Sequence, residues 1–285
     1  MQQHITQYRM KALCDALQVS RSGYQAWLHR SVNVHKLALK EAVNTYYVAH
    51  KSRAGAPSIA AELKAQGFNV SMRTIGRIMH RLGLRAKSSR QFKCTTDSNH
   101  KYGASPNLLN RQFMSTKPNQ AWVGDITYIR TDEGWLYLAV MLDLFSRQVI
   151  GWQMSTHIDR KLVCDALQAA ILTRGKPEGV MVHSDQGVQY ASKDYRSLIS
   201  QYQLTQSMSR RGNCWDNAVA ESFFATLKKQ MVHGERFLTR QEAQQKIFEY
   251  IECYYNSVRR HSTNGWVSPI NHEAAYYKGI EGMPV

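Results

Sequence analysis

Acidic residues are nearly missing from the first two fifths of this 285-residue sequence. Residues 1–118 hold 4 Asp+Glu against 19 Lys+Arg, whereas residues 119–285 hold 17 against 18. Nearly all of the formal charge of +16 therefore sits in one stretch. A basic stretch joined to a nearly neutral one reads as a polyanion-binding module attached to something with a different task. Charge alone leaves open the plainer reading of a basic solubilising surface. Long apolar runs are missing too, which excludes a membrane-spanning helix. The opening MQQHITQYRMKALCDALQVS lacks the apolar core of a signal peptide, so a cytoplasmic protein is expected. Cysteine is sparse. Cys14, Cys94, Cys164, Cys214 and Cys253 lie far apart with no C-x-x-C pair, which fits reduced thiols and excludes a disulfide framework or zinc site. No Ser-His-Asp or Cys-His arrangement and no heptad repeat is present. What is present, 43% hydrophobic and 10% aromatic residues, suffices for packed cores in about two domains.

The basic half reads as helical. MKALCDAL and a second short segment ending in Gln25-Ala26-Trp27-Leu28 form a weak helix-turn-helix pattern, the second helix weakened by Gly23. A longer helix is expected over about Lys36 to His50, and Gly55-Ala56-Pro57 breaks it. Pro57 and Ser58 then open a helix through Ile59 and Leu63 to Gly67. Ser71 caps another running to about Leu82. That last helix carries Ile75, Ile78, Met79 and Leu82 on one face and Arg73, Arg77 and Arg81 on another, with no acid among them. Such an arginine face suits phosphates and base edges in a major groove. Arg85, Lys87, Arg90 and Lys93 extend the basic character into RAKSSRQFKCTTDSNHK, which reads as a linker lying along nucleic acid.

After Pro118 the pattern changes to strands. Ala121 to Ile129 is rich in β-branched and aromatic residues, with Asp125 in its middle. Strands are expected over Trp135 to Leu142 and Val149 to Met154, joined by a turn at Asp143–Arg147. A helix over about Lys161 to Thr173 and a buried strand over Val180 to His183 follow, the latter running into Asp185 and Gly187. A carboxylate just past a buried strand sits where open α/β sheets place their sites. Asp216 or Asn217 reads as the cap of a helix over AVAESFFATLKKQ, with Glu221 beside its apolar arc and Lys228 two turns further on. This β-β-β-α-β-α order predicts a mixed sheet flanked by helices.

Asp125 in WVGDITYI, Asp185 in HSDQGVQY and Glu221 in NAVAESFFATLKKQ, with 35 residues between the last two, resemble the acid set of retroviral-integrase-like DDE recombinases. VSRSGYQAW, GAPSIAAEL with IMHRLGL, LDLFSRQVIGW and YYNSVRRHSTNGWVSP resemble transposases of the insertion-sequence-three family, specifically their second-reading-frame product. The likeness spans nearly the whole chain. It implies an RNase H-like α/β fold preceded by an all-α helix-turn-helix region. It also implies cleavage at element ends and joining of the freed 3′-hydroxyl to another strand. Asp125, Asp185 and Glu221 become the expected catalytic and metal-binding residues, because Mg²⁺, or Mn²⁺ in its place, takes oxygen ligands, and two ions can clamp an in-line phosphoryl displacement. The expected partners are double-stranded DNA, at least one further copy of the chain, and an upstream-frame protein or fusion.

Other residues admit two readings. Asp143 reads as a hairpin-turn residue before a ligand. His183 reads equally as a phosphate orienter or a satisfied strand histidine. Arg210, Arg211 and Asn213 either guide DNA or line a solvated loop. Trp215 reads as a helix anchor more readily than as a stacking surface. Arg259-Arg260-His261, after a structural helix over about Gln241 to Tyr255, suggests a phosphate contact. The expected division is residues 1–50 and 51–90 (helical, helix-turn-helix-like), 91–118 (linker), 119–235 (catalytic core) and 236–285 (helical extension). The nucleoid is the expected location. A regulator that binds element ends without cutting, and a nuclease that cuts without joining, are the competing functions.

Overall fold

A computed structural model describes residues 2–29, 34–87, 105–210 and 214–281. Arg90, Lys93, Arg211 and Asn213 lie outside the described residues, as does half of the expected linker, residues 91–104. The chain divides into two units, Met1–Arg85 and Ala86–Val285.

The first unit is all helical: α1 (Met10–Ala16), α2 (Arg21–Leu28), α3 (Val34–Ala49), α4 (Ala56–Ala65) and α5 (Met72–Arg81). Its core joins Leu39 and Val43 of α3, Ile59 and Leu63 of α4, and Ile75, Ile78 and Met79 of α5. Helices α2 and α5 start at Ser20 and Ser71, whose hydroxyls accept from Gly23 N (3.0 Å) and Thr74 N (3.2 Å). Helices α4 and α5 end alike. Gly67 (φ +90°) and Gly83 (φ +68°) take the left-handed conformation. Phe68 N then reaches Leu63 O at 2.9 Å, and Leu84 N reaches Met79 O at 2.8 Å. This is the glycine stop that satisfies the last carbonyls of a helix.

The second unit is built on a five-stranded sheet: β1 (Ala121–Thr131), β2 (Gly134–Asp143), β3 (Val149–Ser155), β4 (Met181–Ser184) and β5 (Thr205–Met208) in the order β3-β2-β1-β4-β5. Strands β1, β2 and β3 pair antiparallel, while β4 joins β1 and β5 joins β4 in parallel. On one face lie α6 (Arg160–Thr173) and α7 (Lys193–Gln201); on the other lie α8 (Ala218–Leu227) and α9 (Arg240–Phe248). Alternation places Trp122, Ala139 and Met141 toward α6, and Val123, Ile129, Leu138 and Val140 toward α8 and α9. A Cβ on Gly151 would lie 2.4 Å from Ala170 N, so glycine allows β3 to approach α6 closely.

The mixed sheet flanked by helices is as expected, with four differences. Helix α7 and strand β5 intervene between β4 and α8. The closing helix is α-helical only to Phe248 and continues as a wider π-helix over Glu249–Asn256. A further helix, α10 (Pro269–Glu281), follows. Residues 105–118, expected to be linker, pack along the core: Leu109 is buried, and Ser207 Oγ accepts from Leu108 N (3.0 Å) and Leu109 N (3.2 Å). Beyond the sheet, Glu273 of α10 accepts from Arg174 NH2 at 2.6 Å and from the Ser146 hydroxyl, which fastens α10 to the β2–β3 turn.

Candidate active site

Strand pairing opens the site. β1 and β4 pair only over Ala121–Val123 with Met181–His183, and then part. Asp125 lies on β1 just beyond the paired rungs, and Asp185 is the first residue after β4. Helix α8, held by Ala220, Phe223, Phe224 and Leu227 in the core, brings Glu221 from the side. Asp125 Oδ1 accepts from Ile126 N at 2.8 Å, and Asp185 Oδ1 accepts from Gly187 N at 2.9 Å.

The three carboxylates feel one another. Burial raises the Asp125 carboxyl well above its ordinary range, and the charges of Asp185 and Glu221 add to the rise. Glu221 is raised by burial and then by Asp185. Lys228, pushed down by burial, sits with Nζ 4.7 Å from the centre of the Tyr128 ring and within the field of Asp125. One ammonium beside three acids leaves the site short of positive charge. Among the described residues no group of three or more His, Cys, Asp and Glu side chains is arranged to hold a metal ion by itself. A hard, oxygen-seeking cation fits this donor set, since Mg²⁺ is ordinarily held by one or two carboxylates plus water and substrate oxygens.

Asp216 is the residue the sequence misled on. It does not cap α8; Asn217 occupies the cap position without a side-chain cap bond. Fully buried, Asp216 accepts from Arg111 Nε (2.8 Å), Asn107 Nδ2 (2.9 Å), and Arg210 N (3.0 Å), Nε (2.9 Å) and NH2 (2.8 Å). The Arg210 hydrogen bonds hold its carboxyl well below the usual carboxylate range. Arg210, read as a DNA guide, is thus engaged with Asp216, and the pair ties the loop before α8 to residues 107–111. Asp216→Asn is expected to lower stability by about 2 kcal/mol, discounted because both arginines are half exposed, with the denaturant midpoint as the check.

His183 is a satisfied strand histidine. It is fully buried, with Nδ1 2.8 Å from Ser207 Oγ and Nε2 3.2 Å from Ser209 Oγ. Burial lowers its pKa from 6.5 to about 4. The unfolded chain therefore takes this proton first, and stability falls as pH drops from 6.5 toward 4. At pH ~5 the loss is about 2 kcal/mol, and His183→Gln should flatten that part of the profile in denaturant titrations.

Asp143 is a hairpin-turn residue, accepting from Phe145 N and Asn119 N, both at 2.8 Å. Trp215 is 70% exposed, which goes against the helix-anchor reading. Arg260 NH1 donates to Trp266 O at 2.6 Å, Arg259 lies 5.5 Å from the centre of the Tyr255 ring, and His261 is lowered to about 4 by burial and by Arg259 and Arg147. All three residues therefore turn inward. In the first unit Arg73, Arg77, Arg81 and Arg85 are exposed. Arg77 and Arg81 line a cavity of ≈ 330 Å³ with His35 and Lys36 of α3. Lys87 is paired with Glu235 at 3.5 Å.

A family described as "Integrase core domain" matches residues 115–214, and a second of the same description matches 221–275; "HTH-like domain" matches 35–92. The transposase InsF for insertion sequence IS3A of Escherichia coli (strain K12) is 44% identical over 94% of this chain and 95% of its own length. The chain belongs to the IS3 family of transposases. A 31 kDa protein of insertion element IS600 from Shigella sonnei shares 39% identity over 93% of this transposase and 99% of its own length. A chain of the simian T-cell lymphotropic virus intasome overlays with a TM-score of 0.46 at 16% identity, covering 81% of this chain and 73% of that one. The HTLV-2 integrase catalytic core domain in complex with magnesium overlays with a TM-score of 0.42 at 17% identity, covering 55% and 98%. The transposase thus carries an integrase core of RNase H-like fold and a helical HTH-like region. Among its described residues no helix is long and apolar enough to cross a membrane.

Proposed function

We propose that this transposase binds the terminal inverted repeats of its element and catalyses cation-dependent strand cleavage and strand transfer through Asp125, Asp185 and Glu221. The observation that carries the reading is the convergence of Asp125 and Asp185 where β1 and β4 part, with Glu221 brought beside them by α8. Two divalent cations, Mg²⁺ or Mn²⁺ in its place, would supply Lewis acidity and a lowered pKa for the attacking water or 3′-hydroxyl. Asp125 on the central strand, Asp185 and Glu221 would hold them. Lys228 beside Asp125 is suited to a backbone phosphate near the reacting one.

Arg73, Arg77, Arg81 and Arg85 of the first unit, with Lys87, Arg90 and Lys93 after it, would hold the DNA; Arg211 would meet it near the core, while Arg210 stays engaged with Asp216. Division of the chain near residues 90 and 235 belongs to this reading, with α3 to α5 counted as one helical unit across residue 50 and residues 105–118 counted with the core. Pairing two element ends calls for at least two protomers on double-stranded DNA, with an upstream-frame protein or fusion contributing end recognition, at the nucleoid in the cytoplasm. Incubating the chain with an end duplex and a target plasmid, with Mg²⁺ or with EDTA, tests it on a denaturing gel. Joined products with Mg²⁺ alone are expected. Nicks without joining would reduce the reading to a nuclease, and bound DNA never cut with Mg²⁺, nor with Mn²⁺ in its place, would reduce it to a DNA-binding regulator.

A further inference from the structure

Tyr190 is 1% exposed, and its hydroxyl has no hydrogen-bond partner. Its ring belongs to the cluster that contains Trp122 and Val182, the facing pair on β1 and β4 just before the strands part. Tyr195 meets it edge-on, with centroids 5.3 Å apart. The loop brings the ring to the site: Tyr190 N donates to Gly187 O at 3.1 Å. From the position a Cβ on Gly187 would occupy, Asp185 Oδ1 is 3.0 Å away and Tyr190 Cδ2 is 3.6 Å away. The tyrosine ring and the Asp185 carboxylate therefore adjoin across Gly187. Burial, and then the charges of Asp125 and Asp185, raise the pKa of the hydroxyl.

A phenylalanine would fill this space without burying an unpaired hydroxyl, a group that native structures rarely leave unsatisfied. The hydroxyl of Tyr195 is equally buried and unpaired, but its pKa is raised by burial and then by Cys164, with neither Asp125 nor Asp185 among the causes. It serves as an internal control.

We propose that Tyr190 is a positioning residue whose hydroxyl serves as a donor to the Asp125–Asp185 pair when a divalent cation is held there. This rests on the reading that these acids hold a cation. Donors behind ligating carboxylates fix ligand orientation, and losing one typically weakens metal affinity by tenfold or more. The residue acts through the acids and touches no reacting atom.

The test is an Mn²⁺ titration of the full chain, followed by the paramagnetic resonance of the free ion, for wild type, Tyr190→Phe, Tyr195→Phe and Asp125→Asn. Tyr190→Phe should bind Mn²⁺ about tenfold more weakly and Tyr195→Phe should match wild type. Both should melt at or above the wild-type temperature without cation, because each sheds an unpaired buried hydroxyl. Equal affinity in Tyr190→Phe and wild type would overturn the proposal, as would equal losses in both phenylalanine variants, which indicate damaged packing. A wild type binding no better than Asp125→Asn would remove the cation site itself, a failure distinct from that of Tyr190.

Discussion

Asp125→Asn, Asp185→Asn and Glu221→Gln are each expected to reduce strand joining by ~10³-fold or more, a barrier increase of about 4 kcal/mol. Each removes one negative oxygen donor from a set in which, among the described residues, no group of three or more such side chains is arranged to hold a metal ion by itself. Two buried neighbours are unable to substitute, because His183 is spent on Ser207 and Ser209 and Asp216 on two arginines. Stability should move the other way. A carboxyl whose folded pKa is raised costs stability above its unfolded pKa, and that cost is relieved by protonation or neutral replacement. Cation-free Asp125→Asn is therefore expected to melt a few degrees above wild type, in line with the stabilisation often seen on neutralising active-site residues. Loss of joining together with a lowered melting temperature would point instead to a structural role.

DNA affinity should depend steeply on salt, falling roughly 10³-fold or more between about 50 and 200 mM, and this should be unaffected by the acid substitutions. The +15 balance of residues 1–118 is the source of that dependence, since residues 119–222, with 10 Lys+Arg and 11 Asp+Glu, carry −1. Arg73, Arg77 and Arg81 recur on the exposed face of α5, free of acids. Replacing each with alanine should lower the slope of log K against log salt by about 1 if it neutralises a phosphate. Arg210→Ala should leave the slope nearly unchanged, because its guanidinium is engaged with Asp216. Fluorescence anisotropy over a salt series measures both.

Much of this was legible in the sequence because the signals are local. Alternation marks β1, β2 and β3, the spacing of Ile75, Ile78 and Met79 marks α5, and Ser71 marks its start. Strand β5 escaped notice because Thr205–Met208 is four mostly polar residues that become a strand only by pairing with β4. Asp216 looked like a cap because an Asp-Asn pair before a helix ordinarily is one. Its partner Arg111 lies 105 positions away, and no local pattern reveals it. Asp125, Asp185 and Glu221 were each visible only in context; their shared field emerges from the fold. Tyr190 closes the HSDQGVQY motif, but nothing local sets its hydroxyl apart, since a core tyrosine stands out only once that hydroxyl is found without a partner.

The central claim is that Asp125, Asp185 and Glu221 form one cation site. The melting temperature of the DNA-free chain as Mg²⁺ is added tests it most directly, in wild type beside Asp125→Asn. Wild type is predicted to start lower and rise with Mg²⁺, while Asp125→Asn starts higher and stays flat. An equal rise in both, or none in wild type, would contradict the account.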